Sequence, residues 1–535
     1  MNLKGLKISK KVYKKLNEID VKKISNKTLM GLDEFKQFSW EGFQKQEFEK
    51  LIYSLNSLDT IGLFSNISEK QLFIFNYNTD VTEMDIVTVL KNELDEDVVI
   101  DIEYKSGDEA DEKLDKQINK RIKEHMPQLF INNKYIIIGM DDTGFYKANY
   151  YDGNSNKPIL DISKLKDIFE SLTDNEYVET ILTQANDLAG IHKLYGSMEK
   201  KTFNYYEETT KTVDWLLKKY EEGKKAIVIF ANPGTGKTVM AFKLFFENEN
   251  TRFLIMNEKF YKALNLKKYF PSGRCFYGSD TFLSQKLDDK ISIIDEAQRL
   301  SKETILKIIK SSMFTVIFGD CGQAFMDSDL DLDETGFFEY LKTNDVYVAS
   351  KRVKRSKRYN NTVEKALYYL TNKSEELKDQ IILQDYNIKL YYDINDFLKQ
   401  YHDCKESKKI FTTFDHCNER VIRIGDEVFE MAERDFAAFA IVSGFENYIG
   451  HTLHAISFDV DHNYVYLNNV HIKNRQKKNV LVRDGINIRN ELSITKFLNE
   501  LNILFTRGKK SLNIYVDDFE VYLFLNRKLK DIIQK

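Results

Sequence analysis

A glycine-rich loop between a strand and a helix is the feature that most constrains how this chain can fold. The apolar run at residues 226–230 predicts a buried strand, and residues 239–246 predict the start of a helix. Between them lies Ala-Asn-Pro-Gly-Thr-Gly-Lys-Thr at residues 231–238. Such a loop points backbone N–H groups and a helix N-terminus at a bound anion. We therefore expect an α/β layer whose strands are buried on both faces.

Two acidic segments follow apolar runs further along the chain. Asp-Glu-Ala-Gln occupies residues 295–298, directly after the apolar residues 291–294, and Gly-Asp-Cys-Gly-Gln occupies residues 319–323. Nucleotides bind at the carboxyl edge of open α/β sheets, where the ends of parallel strands meet. The three segments in this order predict one site that binds and hydrolyses ATP. A glycine turn beside an unrelated acidic strand end is the alternative interpretation.

The residue types in these segments suit phosphate chemistry. Lys237 can reach the β- and γ-phosphates, and Thr238 can offer its hydroxyl to Mg²⁺. Asp295 would hold the same magnesium ion, and Glu296 would orient or deprotonate the attacking water. The predicted nucleotide-binding residues are Pro233, Gly234, Thr235, Gly236, Lys237 and Thr238.

Composition excludes several other classes of protein. The net charge of −4 predicts no general affinity for polyanions, so any contact with nucleic acid must come from local basic patches. The four cysteines form no CxxC pair, which argues against a zinc module or a disulfide framework. No apolar run approaches the roughly 18 residues of a membrane span, and the first residues lack the apolar stretch of a signal peptide. We therefore expect a cytoplasmic protein with no membrane partner.

The second half of the chain contains further motifs. Residues 351–358 carry six basic side chains in eight positions. From about residue 384 the pattern returns to strand-rich α/β, with Ser-Gly-Phe-Glu at 443–446 after an apolar run and Thr-Arg-Gly at 506–508 after a helical pattern. At these motifs the chain resembles superfamily 1 helicases, in particular the bacterial branch related to the Schlafen helicase domain. The resemblance covers roughly residues 225–520.

The resemblance implies two RecA-like domains with ATP in the cleft between them. It implies that Gln323 senses the γ-phosphate and that Arg507 stabilises transition-state charge from the second domain. A further catalytic arginine is expected from the basic cluster, with Arg355 favoured and Arg352 as the alternative. The cluster can also be interpreted as a solvated helix start, or in part as a contact for the phosphates of a nucleic-acid strand.

The N-terminal region contains a second candidate site. Residues 84–90 and 98–105 predict two strands, and a period of two puts Asp101, Glu103 and Lys105 on one face of the second strand. Burying three ionisable groups without a partner is costly, and a divalent metal would supply that partner. Asp85 could share the metal with Glu103, while Lys105 positions or activates water.

This arrangement resembles the PD-(D/E)xK nuclease fold, in particular its NERD-like branch. In that fold a helix follows the Glu-x-Lys strand and often carries a glutamine, and here residues 114–126 have an apolar stripe with Gln117 beside it. An earlier helix at 40–55 offers Glu41 or Glu47 as a further acid. The alternative is a sheet edge with a solvated face, on which Glu103 and Lys105 neutralise each other.

We therefore predict an α/β protein with two RecA-like parallel-sheet domains (200–355 and 356–535) preceded by an α/β restriction-endonuclease-like domain (1–195). The pairing of these domains resembles bacterial antiphage nuclease–helicases. The predicted function is an ATP-dependent nucleic-acid translocase or helicase coupled to a metal-dependent nuclease, and the resemblance implies foreign phage or plasmid DNA as the target. The expected cofactors are ATP and Mg²⁺, with Mn²⁺ also suited to the nuclease site. DNA is favoured over RNA, and a homo-oligomer or a defence-system partner is left open. The alternative function is a nucleic-acid-gated ATPase switch with a non-catalytic N-terminal binding domain.

Overall fold

The described part of the chain forms two compact units, the first ending at Lys193 and the second beginning at Leu194. The structure is a computed structural model. It describes residues 6–11, 45–60, 62, 64–80, 82–130, 133–232, 234–256, 258–271, 273–353, 361–371, 383, 386–404, 406–432, 447–456, 459–475, 478–486 and 489–534. Within these residues, no helix combines the length and the apolar character needed to cross a membrane.

The first unit is built on a seven-stranded sheet whose strands lie in chain order. β4 and β5 pair in parallel, and the other described neighbours pair antiparallel. The strands are β1 (Leu6–Ser9), β2 (Leu72–Asn78), β3 (Glu83–Lys91), β4 (Asp97–Tyr104), β5 (Lys134–Asp141), β6 (Gly144–Tyr151) and β7 (Asn156–Ile159). The helices are α1 (Lys45–Thr60), α2 (Ala110–Lys120), α3 (Met126–Leu129), α4 (Ile162–Glu170) and α5 (Val178–Glu199), with a π-helical turn at Arg121–His125 joining α2 to α3.

Helices cover both faces of this sheet. Leu55 of α1 and Leu165 of α4 pack with one face of β4, while Ile118 of α2 and Ile181 of α5 pack with the other. β4 is therefore buried along its whole length. Any charged side chain on it must find its partner inside the protein.

The second unit begins with a six-stranded parallel sheet, in the order β10-β9-β11-β12-β8-β13. Its strands are β8 (Ala226–Ala231), β9 (Thr251–Leu254), β10 (Cys275–Phe276), β11 (Ile291–Ile294), β12 (Phe314–Gly319) and β13 (Val348–Val353). Its helices are α6 (Glu207–Glu221), α7 (Lys237–Glu247), α8 (Glu258–Ala263), α9 (Ser279–Leu283), α10 (Lys302–Ser311) and α11 (Glu334–Thr343). β11, β12 and β8 are adjacent and wholly buried, so the three motifs that follow them meet at one edge.

A second sheet of seven strands follows, in the order β14-β22-β19-β15-β18-β17-β16, with only the described β16–β17 pair antiparallel. The strands from β14 onward are β14 (Asn387–Tyr391), β15 (Lys408–Thr412), β16 (Val421–Ile424), β17 (Glu427–Met431), β18 (Tyr448–His451), β19 (Val460–Leu467), β20 (Val470–Arg475), β21 (Lys478–Arg483) and β22 (Gly508–Val516). β20 and β21 form a separate antiparallel hairpin. The helices are α12 (Asn361–Leu370), α13 (Ile394–Asp403), α14 (Thr452–Ala455), α15 (Glu491–Phe505) and α16 (Phe519–Gln534).

The predicted α/β class is confirmed, and so are the two parallel sheets in the second half of the chain. The apolar runs at 226–230 and 291–294 are strands β8 and β11. The helical pattern before Thr506 is α15. The predicted domain limits at 195 and 355 stay predictions.

Candidate active sites

The phosphate loop connects the end of β8 to the start of α7. Gly234 and Gly236 have φ angles of +72° and +89°, a backbone conformation that side-chain-bearing residues rarely adopt. Gly236 directly precedes the first residue of α7, so the loop feeds straight into a helix N-terminus. That geometry offers N–H donors and a positive helix end to an anion. Pro233, which we predicted to take part, lies outside the described residues.

Lys237 is held inside the loop by the loop's own carbonyl oxygens. Its Nζ donates hydrogen bonds to the carbonyls of Ala231 at 2.9 Å and Asn232 at 3.2 Å. The side chain is only 6% exposed. The hydroxyl of Thr235 also donates to Asn232 O, at 2.9 Å, and thereby closes the turn. The loop thus holds a largely desolvated ammonium group where a phosphate would be bound.

Asp295 follows β11 and lies against the first turn of α7. The hydroxyl of Thr238 hydrogen-bonds to its carboxylate, and Lys237 is close enough to act on it electrostatically. Burial and the neighbouring Glu296 carboxylate raise the pKa of Asp295 to about 7. A divalent cation would favour the ionised carboxylate, and a carboxylate with a hydroxyl is an oxygen donor set that suits Mg²⁺. These two residues therefore fit a magnesium ion.

Glu296 occupies a strained backbone position and is held by a glutamine. Its φ of +54° is in the left-handed region. Gln298, which is 1% exposed, donates through its side-chain NH₂ to the Glu296 carboxylate, and its Oε1 accepts from the backbone N–H of Asp320 at 3.1 Å. Gln298 therefore joins the second motif to the third. The sequence pattern contained this residue but gave no sign of its role, because its burial depends on tertiary packing.

Gln323 and Arg507 meet across the second unit. The side-chain NH₂ of Gln323 donates to Asp320 Oδ2 at 2.8 Å, and Arg507 Nη2 donates to Gln323 Oε1 at 3.3 Å. Arg507 is 3% exposed and also donates to the carbonyls of Ile503 and Ile456, both at 3.1 Å. The arginine that precedes β22 thus reaches the turn after β12. The resemblance implied that both residues act at the ATP site, and their roles there stay predictions.

α15, which leads to Arg507, is anchored on the same turn. Asn499 Nδ2 donates to the carbonyl of Ala324 at 2.7 Å and to that of Cys321 at 3.3 Å. Lys496 makes an ion pair with Asp327 at 3.2 Å. A movement of this turn would therefore displace the helix that positions the arginine.

A polar network adjoins the first residues of the loop. Arg352 Nη2 donates to Asn232 Oδ1 at 2.9 Å, and Asn232 Nδ2 donates to Glu364 Oε1 at 2.8 Å. Arg352 is also ion-paired with Glu334. Sequence reasoning missed Asn232 and Glu364. Arg355, the arginine it favoured from this cluster, lies outside the described residues, as does the motif at 443–446.

In the first unit, three of the predicted nuclease residues lie together near the end of β4: Asp85 of β3, Glu103 of β4, and Lys105, which directly follows β4. Lys105 Nζ is 3.5 Å from Asp85 Oδ2 and 3.7 Å from Glu103 Oε2. Asp85 accepts a hydrogen bond from the backbone N–H of Tyr104 at 2.8 Å, and Gln117 of α2 donates to Glu103. Asp85 and Lys105 are about a quarter exposed, whereas Glu103 is fully buried. Glu41 lies outside the described residues, and the side chain of Glu47 is not described.

Arg121 is the counter-charge that sequence reasoning missed. It begins the π-helical turn after α2, is 2% exposed, and forms ion pairs with both Asp101 and Glu103. Its Nε lies 3.1 Å from Asp101 Oδ2 and 3.0 Å from Glu103 Oε1. The sequence predicts that a metal ion balances the negative charges on this face of β4. For Asp101 and one oxygen of Glu103, the partner is instead a side chain of the protein.

The cluster still carries an excess of negative charge. Three carboxylates (Asp85, Asp101 and Glu103) face two cations, and burial together with neighbouring carboxylates raises the pKa of Glu103 well above its usual range. A divalent cation beside Asp85 and Glu103 fits this imbalance, and carboxylate oxygens suit Mg²⁺ and Mn²⁺. Across the described chain, no three His, Cys, Asp or Glu side chains are arranged to enclose a metal ion. Such an ion would keep several water ligands, as Mg²⁺ commonly does.

Comparison with known proteins gives a family match that lies within the second unit. Residues 224–415 match the family model described as Schlafen group 3, DNA/RNA helicase domain. Arterivirus nonstructural protein 10, a helicase, is similar over 55% of this chain and 61% of its own, at 11% identity and a TM-score of 0.31. A Pif1 helicase from Bacteroides, in complex with ADP-AlF3 and ssDNA, is similar over 62% of this chain and 98% of its own, at 10% identity and a TM-score of 0.26. No curated protein matches the chain.

The family match begins at the strand that carries the phosphate loop and ends past β15. It therefore includes the loop, both acidic motifs and the start of the second parallel sheet. Residues 224–415 are thus similar to a helicase domain, and they include a phosphate-binding loop between a buried strand and a helix N-terminus.

Proposed function

We propose that the protein is an ATP-driven nucleic-acid translocase or helicase whose N-terminal unit is a metal-dependent nuclease. The observation that carries the motor assignment is the hydrogen bond between Arg507 and Gln323. It puts a guanidinium from the region of the second parallel sheet against the turn that follows β12 of the first. An arginine that stabilises the transition state only in a closed arrangement couples hydrolysis to relative movement of the two sheets.

In this proposal each residue of the ATP site has one task. Lys237 binds the β- and γ-phosphates, and Thr238 and Asp295 would hold Mg²⁺, which neutralises charge developing on the phosphates. Glu296 orients the attacking water and accepts its proton, held in place by Gln298. Gln323 senses whether a γ-phosphate is bound and is linked to Arg507 by their hydrogen bond. For the further catalytic arginine, Arg355 remains the favoured residue, and Arg352, which is ion-paired beside the loop, is the alternative.

For the first unit we propose phosphodiester cleavage of DNA, with foreign phage or plasmid DNA as the target. Asp85 and Glu103 would hold Mg²⁺ or Mn²⁺, which lowers the pKa of a bound water. Lys105, partly exposed beside both carboxylates, would position that water against the scissile phosphate. Gln117 and Arg121 orient Glu103 by binding its two oxygens separately. The target rests on the resemblance to antiphage nuclease–helicases alone.

One observation favours the second candidate function, a nucleic-acid-gated ATPase switch with a non-catalytic N-terminal domain. Arg121 already neutralises Asp101 and part of Glu103. A buried arginine paired with two carboxylates can hold a fold together without any metal. In that case nucleic acid would stimulate ATP turnover, and no phosphodiester bond would be broken.

A matrix of cleavage assays distinguishes the two functions. The full chain is incubated with plasmid, linear duplex, single-stranded DNA or RNA, with Mg²⁺ or Mn²⁺, and with or without ATP. Cleavage is expected to disappear in Lys105→Ala and to persist in Lys237→Ala at least as nicking. Lys113→Ala, which removes an exposed lysine of α2, is the matched control.

The outcomes separate the two assignments. Cleavage that persists in Lys105→Ala, Asp85→Ala and Glu103→Ala alike would refute the nuclease site. ATP turnover stimulated by single strands, with no cleavage in any metal, would establish the switch. Turnover unchanged in Lys237→Ala would refute the motor.

A further inference from the structure

A group of exposed aromatic side chains in the second parallel sheet's region has no role in either candidate site. Tyr392 is 46% exposed, Phe519 is 53% exposed and Leu523 is 45% exposed. Tyr522, half-buried, lies beside them. We call these four residues the aromatic patch. Single exposed apolar side chains are ordinary, but contiguous ones mark interaction surfaces.

The rings of the patch touch one another rather than scattering over the surface. The ring centroid of Tyr392 lies 5.3 Å from that of Phe519 and 5.6 Å from that of Tyr522. Phe519 and Tyr522 are 6.3 Å apart with planes inclined by 14°. These separations are typical of interacting aromatic pairs, so the patch is a preformed surface that needs little ordering to bind.

The patch lies at the carboxyl edge of two adjacent strands. Tyr392 directly follows β14, and Phe519 begins the helix that follows β22; the two strands pair in parallel with Tyr391 opposite Tyr515. Arg507 directly precedes β22, at the other end of that strand. At about 3.3 Å per residue, the length of β22 puts the patch roughly 30 Å from Arg507. It is therefore separate from the ATP site.

Acidic residues surround the patch. Asp393 and Asp396 flank Tyr392 at the start of α13, and Asp517 and Glu520 flank Phe519. Burial raises the pKa of Tyr515, and the charges of Asp393 and Asp517 act on it in the same direction. The acidic residues therefore border the ends of both strands. This charge repels the phosphates of a nucleic acid and attracts arginine and lysine.

We propose that the aromatic patch docks a protein segment that carries arginine or lysine beside apolar side chains. The cations would pair with the acidic rim and stack on the ring faces, while the apolar side chains would cover Phe519 and Leu523. Aromatic residues and arginine are the residue types most enriched at the centres of protein interfaces. A motor domain would thereby hold a partner at a site that leaves the nucleotide cleft open.

Fluorescence anisotropy with the full chain tests this surface. The probes are two labelled twelve-residue peptides of equal leucine content, one with four arginines and one with four glutamates, and a labelled single-stranded DNA. The arginine peptide is expected to bind, and Phe519→Ala and the double variant Asp393→Asn/Glu520→Gln are each expected to weaken it at least tenfold. Asparagine at 393 can still cap α13, so the charge change leaves the helix start intact. Tyr347→Ala removes an aromatic ring that is 58% exposed elsewhere and is the matched control.

Three results would overturn the proposal. The first is an arginine peptide that does not bind, or that binds the variants and the wild type equally. The second is loss of DNA binding in Phe519→Ala, which would make the patch a base-stacking platform. The third is a wild-type dimer that Phe519→Ala converts to a monomer in sedimentation velocity, which would make the occupant a second copy. Unchanged thermal unfolding of the variants excludes misfolding as the cause.

Discussion

Arg507 makes two kinds of contact, and they have different consequences for a variant. Its bonds to the carbonyls of Ile503 and Ile456 are structural, whereas its bond to Gln323 leads into the candidate ATP site. Arg507→Gln is expected to lower ATP turnover by a factor of about 10³, the contribution of a catalytic arginine in this class of reaction. Nucleotide affinity should change little, because the arginine acts on charge that develops in the transition state. Steady-state turnover and titration with a fluorescent ATP analogue measure the two effects.

Arg507→Lys serves as its control. The lysine keeps the charge but cannot make the forked set of bonds. Turnover, affinity and melting temperature that all fall together in Arg507→Gln would indicate a purely structural residue.

Glu296 is the proposed catalytic base and also has a strained backbone conformation. In the left-handed region a side chain with a Cβ costs about 1–2 kcal/mol, and glycine avoids that cost. Glu296→Gly should therefore be more stable than Glu296→Ala by roughly 1 kcal/mol, although both should lose ATP turnover. Chemical denaturation measures the difference. At Glu303, in the first turn of α10, the same pair of substitutions should show the opposite order, since glycine weakens an ordinary helix.

Single residues were predictable where a motif fixes the spacing. Lys237, Asp295 and Gln323 each follow a recognisable strand end, and their surroundings suit the expected chemistry. Gln298, Asn232 and Arg121 could not be assigned in this way, because their roles come from burial and from partners distant in sequence. Arg121 pairs with residues 18 and 20 positions earlier, across the space between a helix and a sheet.

Among the elements, His471 of the hairpin β20–β21 pairs with Asp518, the residue directly before α16. His471 Nδ1 lies 2.9 Å from Asp518 Oδ2, and its Nε2 lies 3.2 Å from Asp484 Oδ1. The hydrogen bond to Asp518, followed by the charges of Asp484 and Asp518, raises the pKa of His471 above its usual 6.5. The stabilisation is thus fully present below pH 6.5 and is lost as the pH rises through the raised pKa.

His471→Gln tests that linkage. The variant should melt below the wild type at pH 5.5, and the difference should shrink at pH 8.5, where the imidazole is neutral in both folded and unfolded chains. Differential scanning calorimetry at the two pH values measures the gap. An equal difference in melting temperature at the two pH values would show that the charge of His471 does not contribute to stability.

Elements with continuous apolar runs were the easiest to predict. β8, β11 and β12 are buried on both faces, so their sequences are almost wholly apolar, with Ser292 and Thr315 as the exceptions. The hairpin β20–β21 was not predicted, because its strands are rich in polar and basic residues. The π-helical turn after α2 was also missed, since its sequence differs little from that of an ordinary helix.

Across the whole molecule, the division between the two units falls inside a helix. α5 runs from Val178 to Glu199, and the units divide after Lys193. Boundaries between compact units more often fall in exposed linkers. Limited trypsin digestion should therefore cut after Lys200 or Lys201, which follow the helix, before it cuts after Lys193. All three lysines are exposed, but Lys193 lies within the helix and its Nζ is also ion-paired with Asp80 at 2.8 Å. Peptide mass mapping of early time points measures the order, and early cleavage after Lys193 would mean that α5 opens readily there.

The continuity of α5 also matters for anyone who recombines this protein. A chimera joined at residue 193 would splice two unrelated sequences inside one helix and disturb the apolar positions that each unit takes from it. The stretch 200–206, which has no helix or strand, offers a safer junction. Exchange of the N-terminal unit among relatives would then be expected to carry α5 along with it.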